Sequence, residues 1–568
     1  MREPEDRRLS PRALADALRE AVRRCDGEDA RRVVNRLARA VPGLRAGAAM
    51  RAAHDALLFT IAHPPDEATQ SAAEGCLARL GKRIAARAAA DRTTDARLAN
   101  SGLPGTLIEA DFSHLLAKWL ASAYPARVAL AGARADPELT QLFMRLALVP
   151  GEAERLEREH YRLEGWLARI APSMRARRLP ALLAAIDSAT GDERLREYLY
   201  ASLAPTLRWR LAPPSPALAT ARGLPRPTFF QDGWARDVAL GERLARPLPR
   251  PAALARAERA HLVATARVVL GSLLRETDPV TYADEDAVAL YRLERGIDVA
   301  LFGMRPPWRL ALETYFGYLA FRNGVPAAYG GAWTLGHRCK IGINVFPHMR
   351  GGESALLFAE LMRVYRGRFG PGVFFVEPYQ IGRGNADGIR SGAFWFYYRL
   401  GFRPVQHELD ALAAAEGARM AGERGYRTPA PTLRRLAEAD LRWAVPGAGS
   451  LPTPDPYAVN RALSARIARE HAGDRAAAVA AARPRALALF AALVPRAESE
   501  AIARAFGPLL AMLGDVDRWT RPQRAALAAL LTAKLSGDET RHARLVLRHR
   551  RFLDALARAA AASARAGR

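Results

Sequence analysis

The chain has 568 residues, long enough for two to four domains at about 100–200 residues each. Half of the residues are apolar, which supports large cores and excludes global disorder. The formal net charge is +26, but acidic residues interleave almost everywhere and the basic ones are nearly all arginine, with Lys82, Lys118, Lys340 and Lys534 as the lysines. That pattern reads as arginine spread over solvated helix faces and speaks against nucleic acid as a partner, which would need a contiguous basic face.

Residues 1–12 are charged and lack the apolar core of a signal peptide, and no run of about 18 uncharged apolar residues exists, so no transmembrane segment and a cytoplasmic location are expected. Cys25, Cys76 and Cys339 lie too far apart for a disulfide framework. His337 and Cys339 are a close pair of soft ligands, but no second pair follows at ligand spacing, so no metal is expected.

Residues 1–212 read as a helical region. Leu14, Leu18 and Val22 recur at the helical period, as do Val34, Leu37 and Val41. The segment 100–105 breaks the pattern as a turn, with further breaks at Pro150-Gly151 and Ala171-Pro172. Residues 213–295 form a Pro-rich segment and a helix. Phe229, Phe230 and Trp234 lie among the prolines, so the segment is expected to pack on a domain instead of hanging free.

From residue 296 the period changes to that of strands. Candidates are 297–302, 314–321, 327–335 and 341–346, with Asn323-Gly324 as a hairpin turn between the second and third. A helix over 354–369, a buried strand over 373–376, an aromatic helix over 391–400 and an extended segment from Phe402 follow. Residues 407–422 return to helix. The linker 446–454 then leads into a helical C-terminal region, 446–568. The expected fold class is α+β: a mixed β-sheet with helices over 296–445, flanked by large helical regions that could hold a protein partner.

Two pieces of this block carry chemistry. In the first, Ile343-Asn344-Val345-Phe346 leads into Pro347-His348-Met349-Arg350-Gly351-Gly352-Glu353 and a helix starting at Ser354. Glycines let backbone amides approach an anion, and a helix start adds N–H groups and a positive dipole end. In the second, Ala393-Phe394-Trp395-Phe396-Tyr397-Tyr398-Arg399-Leu400-Gly401-Phe402 is a helix turning into a strand.

These pieces, in this order, resemble the GNAT superfamily of acyl-CoA N-acyltransferases over about a fifth of the chain. The resemblance departs from the family pattern at Gly352-Glu353, where either the loop is one residue shorter or the Glu353 carboxylate turns away, and at Arg390, where an Asn is usual. It also lacks an evident pair of closing strands after Phe402.

The resemblance implies an acyl-CoA, acetyl-CoA above all, as co-substrate, bound by Val345, Phe346, Arg350, Gly351, Gly352 and Ser354. It implies transfer to the amine of a small molecule or protein. The strand before the loop is expected to splay from its neighbour, with an oxyanion donor at the N–H of Val345 or Phe346. Tyr397 is the implied general acid, with Phe394 packed beside it and Phe396 and Tyr398 diverging. Glu377 is the first choice for the base, with Asp387, His348 and Glu353 as alternatives. The Gly-rich loop 379–390 is where the acceptor is expected, with Gln380, Asn385 and Asp387 as contacts.

Overall fold

The computed structural model describes residues 10–44, 47–154, 162–170, 178–448 and 450–566. It is a mixed α+β structure in which a large mixed sheet is flanked by helical regions. Among the described residues, no helix is long and apolar enough to cross a membrane. The expected break at Ala171-Pro172 lies outside the described residues.

The first helices form where the period placed them. Leu14, Leu18, Val22, Val34, Leu37 and Val41 are all buried. Side-chain caps start three of these helices: the Ser10 hydroxyl accepts from Ala13 N–H, Asp26 from Asp29 N–H and Asp66 from Thr69 N–H.

The N-terminal region is not helical throughout. Strands β1 (Leu107–Ala110), β2 (Val128–Ala133) and β3 (Pro205–Arg210) form an antiparallel sheet in the order β1-β3-β2. In β3, Leu207 and Trp209 face the core while Arg208 faces solvent, a period of two too short to stand out in an Ala/Arg-rich chain.

The Pro-rich segment straps the domain, as its aromatics suggested. The Phe229 ring lies under the guanidinium groups of Arg295 and Arg322, at 4.7 and 5.2 Å. Trp234 donates from Nε1 to Arg23 O at 2.7 Å, and Gln231 N–H donates to Pro64 O at 2.7 Å. Phe230 points outward.

The main sheet runs through β4 (Ala289–Arg292), β5 (Ile297–Phe302), β6 (Thr314–Arg322), β7 (Val325–Leu335), β8 (Arg338–Ile341), β9 (Asn344–Val345), β10 (Val373–Val376), β11 (Arg403–Pro404) and β12 (Leu441–Ala444). The spatial order is β11-β12-β10-β8-β7-β6-β5-β4, with β9 paired to β7. The Asn323-Gly324 turn has positive φ at both residues, 46° and 74°, as a tight hairpin between twisted strands requires. All pairings are antiparallel except β8 with β10, where Val373, Phe374 and Phe375 lie beside Arg338, Cys339 and Lys340.

The fourth expected strand, 341–346, is broken. Its first part is β8 and its second β9, with Gly342-Ile343 between them. β8 pairs with β7 on one side and β10 on the other, whereas β9, among the described residues, pairs with β7 alone. The two parallel strands therefore part after Ile341, and a gap opens between them.

Beyond Phe402 the expected helix is present as His407–Gly422. It lies between two strands: β11 precedes it and β12 follows a further helix, Ala430–Leu436. β12 pairs antiparallel with both β10 and β11 and closes that side of the sheet. The C-terminal helices dock on β6 and β7. Leu312 and Leu335 join their core, and the buried Lys534 donates to Glu313 O at 2.8 Å while pairing with Glu539 at 2.7 Å.

Candidate active site at the parted strands

A cleft of about 650 Å³ opens beside the break between β8 and β9. Ile343, Asn344, Val345, Phe346 and Pro347 form one wall, and Ala393, Phe396 and Tyr397 of the helix Ala393–Arg399 face them. Residues 273–277, which follow the helix Arg256–Ser272, make a third wall. Arg350 and Ser354 stand at one end; the expected loop 379–390 is mostly two short helices, Pro378–Ile381 carrying Gln380 and Ala386–Ser391 carrying Asp387 and capped by Asn385, and all three residues line the cleft. Of the expected contacts, Val345, Phe346, Arg350, Ser354, Tyr397, Gln380, Asn385 and Asp387 thus line one space.

Tyr397 sits at the centre. Its ring is buried against Phe358 of the helix Ser354–Phe369, centroids 5.3 Å apart, and its hydroxyl reaches the break between β8 and β9. There Ile343 N–H donates to the phenol oxygen at 3.3 Å, so the phenol's own proton is left for another acceptor. Burial pushes the phenol's pKa upward, which keeps it protonated at neutral pH. Its neighbour in the cleft is Phe396, at 5.0 Å, and not Phe394, which instead packs on Trp395 and stacks on Tyr398 at 5.7 Å. Phe358 completes this cluster, packing edge-on against both rings at 5.9 Å from Phe396 and 5.3 Å from Tyr397.

Two further expectations change at the loop. Phe346 N–H is spent in the sheet, donating to Ala327 O at 3.1 Å, so Phe346 is excluded as an oxyanion donor; its ring stacks on Tyr329 at 5.2 Å. Gly351 and Gly352 line no part of the cleft and instead face the N-terminal helices. Gly352 N–H donates within its turn to Met349 O at 3.2 Å, so offering it to an anion would break that turn. Gly351 has φ +82°, and a Cβ there would lie 2.0 Å from the Arg23 guanidinium. The neighbouring Arg19 donates to the carbonyls of His348 and Arg350 at 3.2 and 3.3 Å. The helix Pro11–Arg23 therefore braces the loop from the side away from the cleft.

The four possible bases are separated by their surroundings. Glu353 turns away from the cleft into a buried cluster, bound to Arg295 and Arg322 at 2.8 Å each and accepting from Ala235 N–H at 2.8 Å. His348 is fully buried and donates from Nε2 to Pro326 O at 2.7 Å; burial lowers its pKa to about 4, and it lies outside the cleft. Asp387 is at the outer mouth, paired with Arg390. Glu377 lines a smaller inner chamber of about 120 Å³, where it pairs with Lys340 at 3.1 Å. This chamber shares Thr277, Tyr329, Asn344 and Gln380 with the main cleft.

Asn385 is held by its own turn, accepting from Gly388 N–H and donating to Tyr379 O, both at 3.1 Å. No family model matches the chain, and neither a curated protein nor a solved structure matches it. Among the described residues no group of three His, Cys, Asp or Glu side chains is placed to hold a metal ion.

Sequence reasoning missed the 273–277 wall, Tyr329, Asn344 and Lys340. Only Lys340 carried a signal, as one of four lysines in a chain that otherwise uses arginine.

Proposed function

We propose that the cleft binds an acyl-CoA thioester and that the protein transfers its acyl group to an amine, as a GNAT-like N-acyltransferase. The observation that carries this reading is the parting of the parallel strands β8 and β10 beyond Ile341, with the Tyr397 hydroxyl held at the break by Ile343 N–H. Parted strands expose backbone groups that an extended amide-bearing arm can pair with. The phenol lies where a departing thiolate needs a proton.

Two features support the cofactor assignment. Arg350 is exposed at the cleft's end, and the start of the helix Ser354–Phe369 supplies N–H groups and a positive dipole end for a diphosphate. Glu353, which would repel that diphosphate, is neutralised elsewhere by Arg295 and Arg322. The closure of the sheet by β11 and β12 removes a further mismatch with the family, because the expected helix is an insertion between the two closing strands.

The test is thermal unfolding of the full chain with acetyl-CoA and longer acyl-CoAs. A ligand at a hundred times its Kd stabilises the native state by about 2.7 kcal/mol, so a clear rise in melting temperature is expected with at least one of them. No shift with any acyl-CoA at millimolar concentration contradicts the reading.

A further inference from the structure

The inner chamber beside the cleft is built for a charge pattern that a simple amine does not have. Lys340 Nζ and the Glu377 carboxylate face each other at 3.1 Å, both side chains about one-third exposed, and both border the chamber. Lys340 is fixed from below by Trp333, its ammonium 4.6 Å from the ring centroid, and Trp333 is stacked on Tyr315 at 4.2 Å. Gln380 packs on Gly342, where a Cβ would lie 2.6 Å from the Gln380 side chain. The chamber's about 120 Å³ admits a head group of a few atoms and little more.

An ammonium entering this space meets Glu377 but also the ammonium of Lys340. Without a negative charge of its own, the ligand brings like charges together. A zwitterion resolves this: its carboxylate pairs with Lys340 while its ammonium pairs with Glu377, each a charge-assisted hydrogen bond. Lysine suits the position because its ammonium is a compact point charge, whereas a planar guanidinium would fill much of so small a chamber. In this chain the other paired lysines, Lys118 and Lys534, meet Asp187 and Glu539 and border neither cavity.

We infer that the acyl acceptor is a free α-amino acid, seated with its carboxylate on Lys340 and its ammonium on Glu377. This rests on the acyl-transfer reading of the adjoining cleft. The α-ammonium gives one proton to Glu377 and becomes a neutral amine. Its lone pair bonds to the thioester carbonyl carbon, and the C–S bond breaks with its electron pair leaving on sulfur. Tyr397 protonates the thiolate, the nitrogen's second proton returns through water to the Tyr397 phenolate, and Glu377 gives its proton to water. The products are an N-acyl amino acid, a free thiol and one proton released to water.

The experiment uses the full chain with acetyl-CoA and each common amino acid, following thiol release and the mass of the product. Every amino acid that reacts is compared with its α-amide and with its decarboxylated amine. At least one amino acid is expected to be acylated, with kcat/KM about 10- to 100-fold above those of both analogues, because a partly exposed site discriminates less than a fully buried one. Lys340→Met should raise the KM for the amino acid at least about tenfold and erase the preference over the amide, leaving the acetyl-CoA melting shift unchanged. The comparison of acid with amide needs no variant, so it stands even if Lys340→Met fails to fold.

Equal rates for acid, amide and amine overturn the inference, as does acetyl-CoA binding with no amino acid accepted; both leave the acyl-transfer reading intact. If no acyl-CoA binds, that reading falls, and calorimetric titration of the amino acids alone decides the chamber. Heat that is lost in Lys340→Met supports it, and no heat overturns it.

Discussion

Tyr397→Phe is expected to lower turnover about 100- to 10,000-fold, the range that a positioned general acid contributes. The substitution keeps the ring, so its packing against Phe358 and Phe396 survives. What is lost is the hydroxyl at the break between β8 and β9, together with the acceptor for Ile343 N–H, whose bond is worth about 1 kcal/mol of stability. Affinity for acyl-CoA should barely move, because the phenol donates only as the thiolate forms. The assay is thiol release under saturating acyl-CoA. A variant as fast as the parent would make Tyr397 a core residue and leave the reaction without its acid.

The second large effect is on stability. Glu353→Ala should cost about 3–5 kcal/mol, the usual result of removing one partner from a buried ion cluster. Glu353 and Arg322 are each 4% exposed, and the carboxylate also holds Arg295, Ala235 N–H and, at 3.4 Å, Gln231 Nε2. Burial already lowers the pKa of Arg322 to about 10, and Glu353 is the nearest opposing charge; without it a guanidinium is left buried and unpaired. The cluster joins β6, the loop, the strap and the residues before β5, so the loss is spread over the whole loop region. Urea unfolding measures it. A loss below about 1 kcal/mol would mean that water reaches Arg322 and the cluster is not a buried one.

The sequence carried the fold best where periodicity ran long. The first helices, the Asn323-Gly324 hairpin and the helix Ser354–Phe369 lie where spacing and turn chemistry placed them. It carried least where elements are short. β3 has six residues and β12 four, and β12 is separated from its neighbour β11 by two helices. A strand that pairs across such an insertion leaves no local signal, because its reason for being extended lies in β10. The site divides in the same way. Tyr397, Arg350 and Gln380 sit on elements adjacent in sequence, so their convergence could be read. The wall at residues 273–277 and the bracing by Arg19 and Arg23 come from distant chain, and nothing in their local sequence points to the cleft. Glu353 misleads in sequence because a carboxylate beside a glycine pair looks like an obstacle to phosphate; its partners Arg295 and Arg322 are far away along the chain.

The central claim, that the parted strands and the loop after them bind an acyl-CoA, is tested most directly by amide hydrogen exchange of the full chain with and without acetyl-CoA. A ligand seated in the cleft orders the backbone it pairs with and slows local opening there. The account predicts slower exchange in peptides covering 343–357 and 393–402, with little change in the C-terminal helices beyond residue 456. Protection confined to the C-terminal helices, or none while acetyl-CoA demonstrably binds, would place the ligand elsewhere and contradict the account.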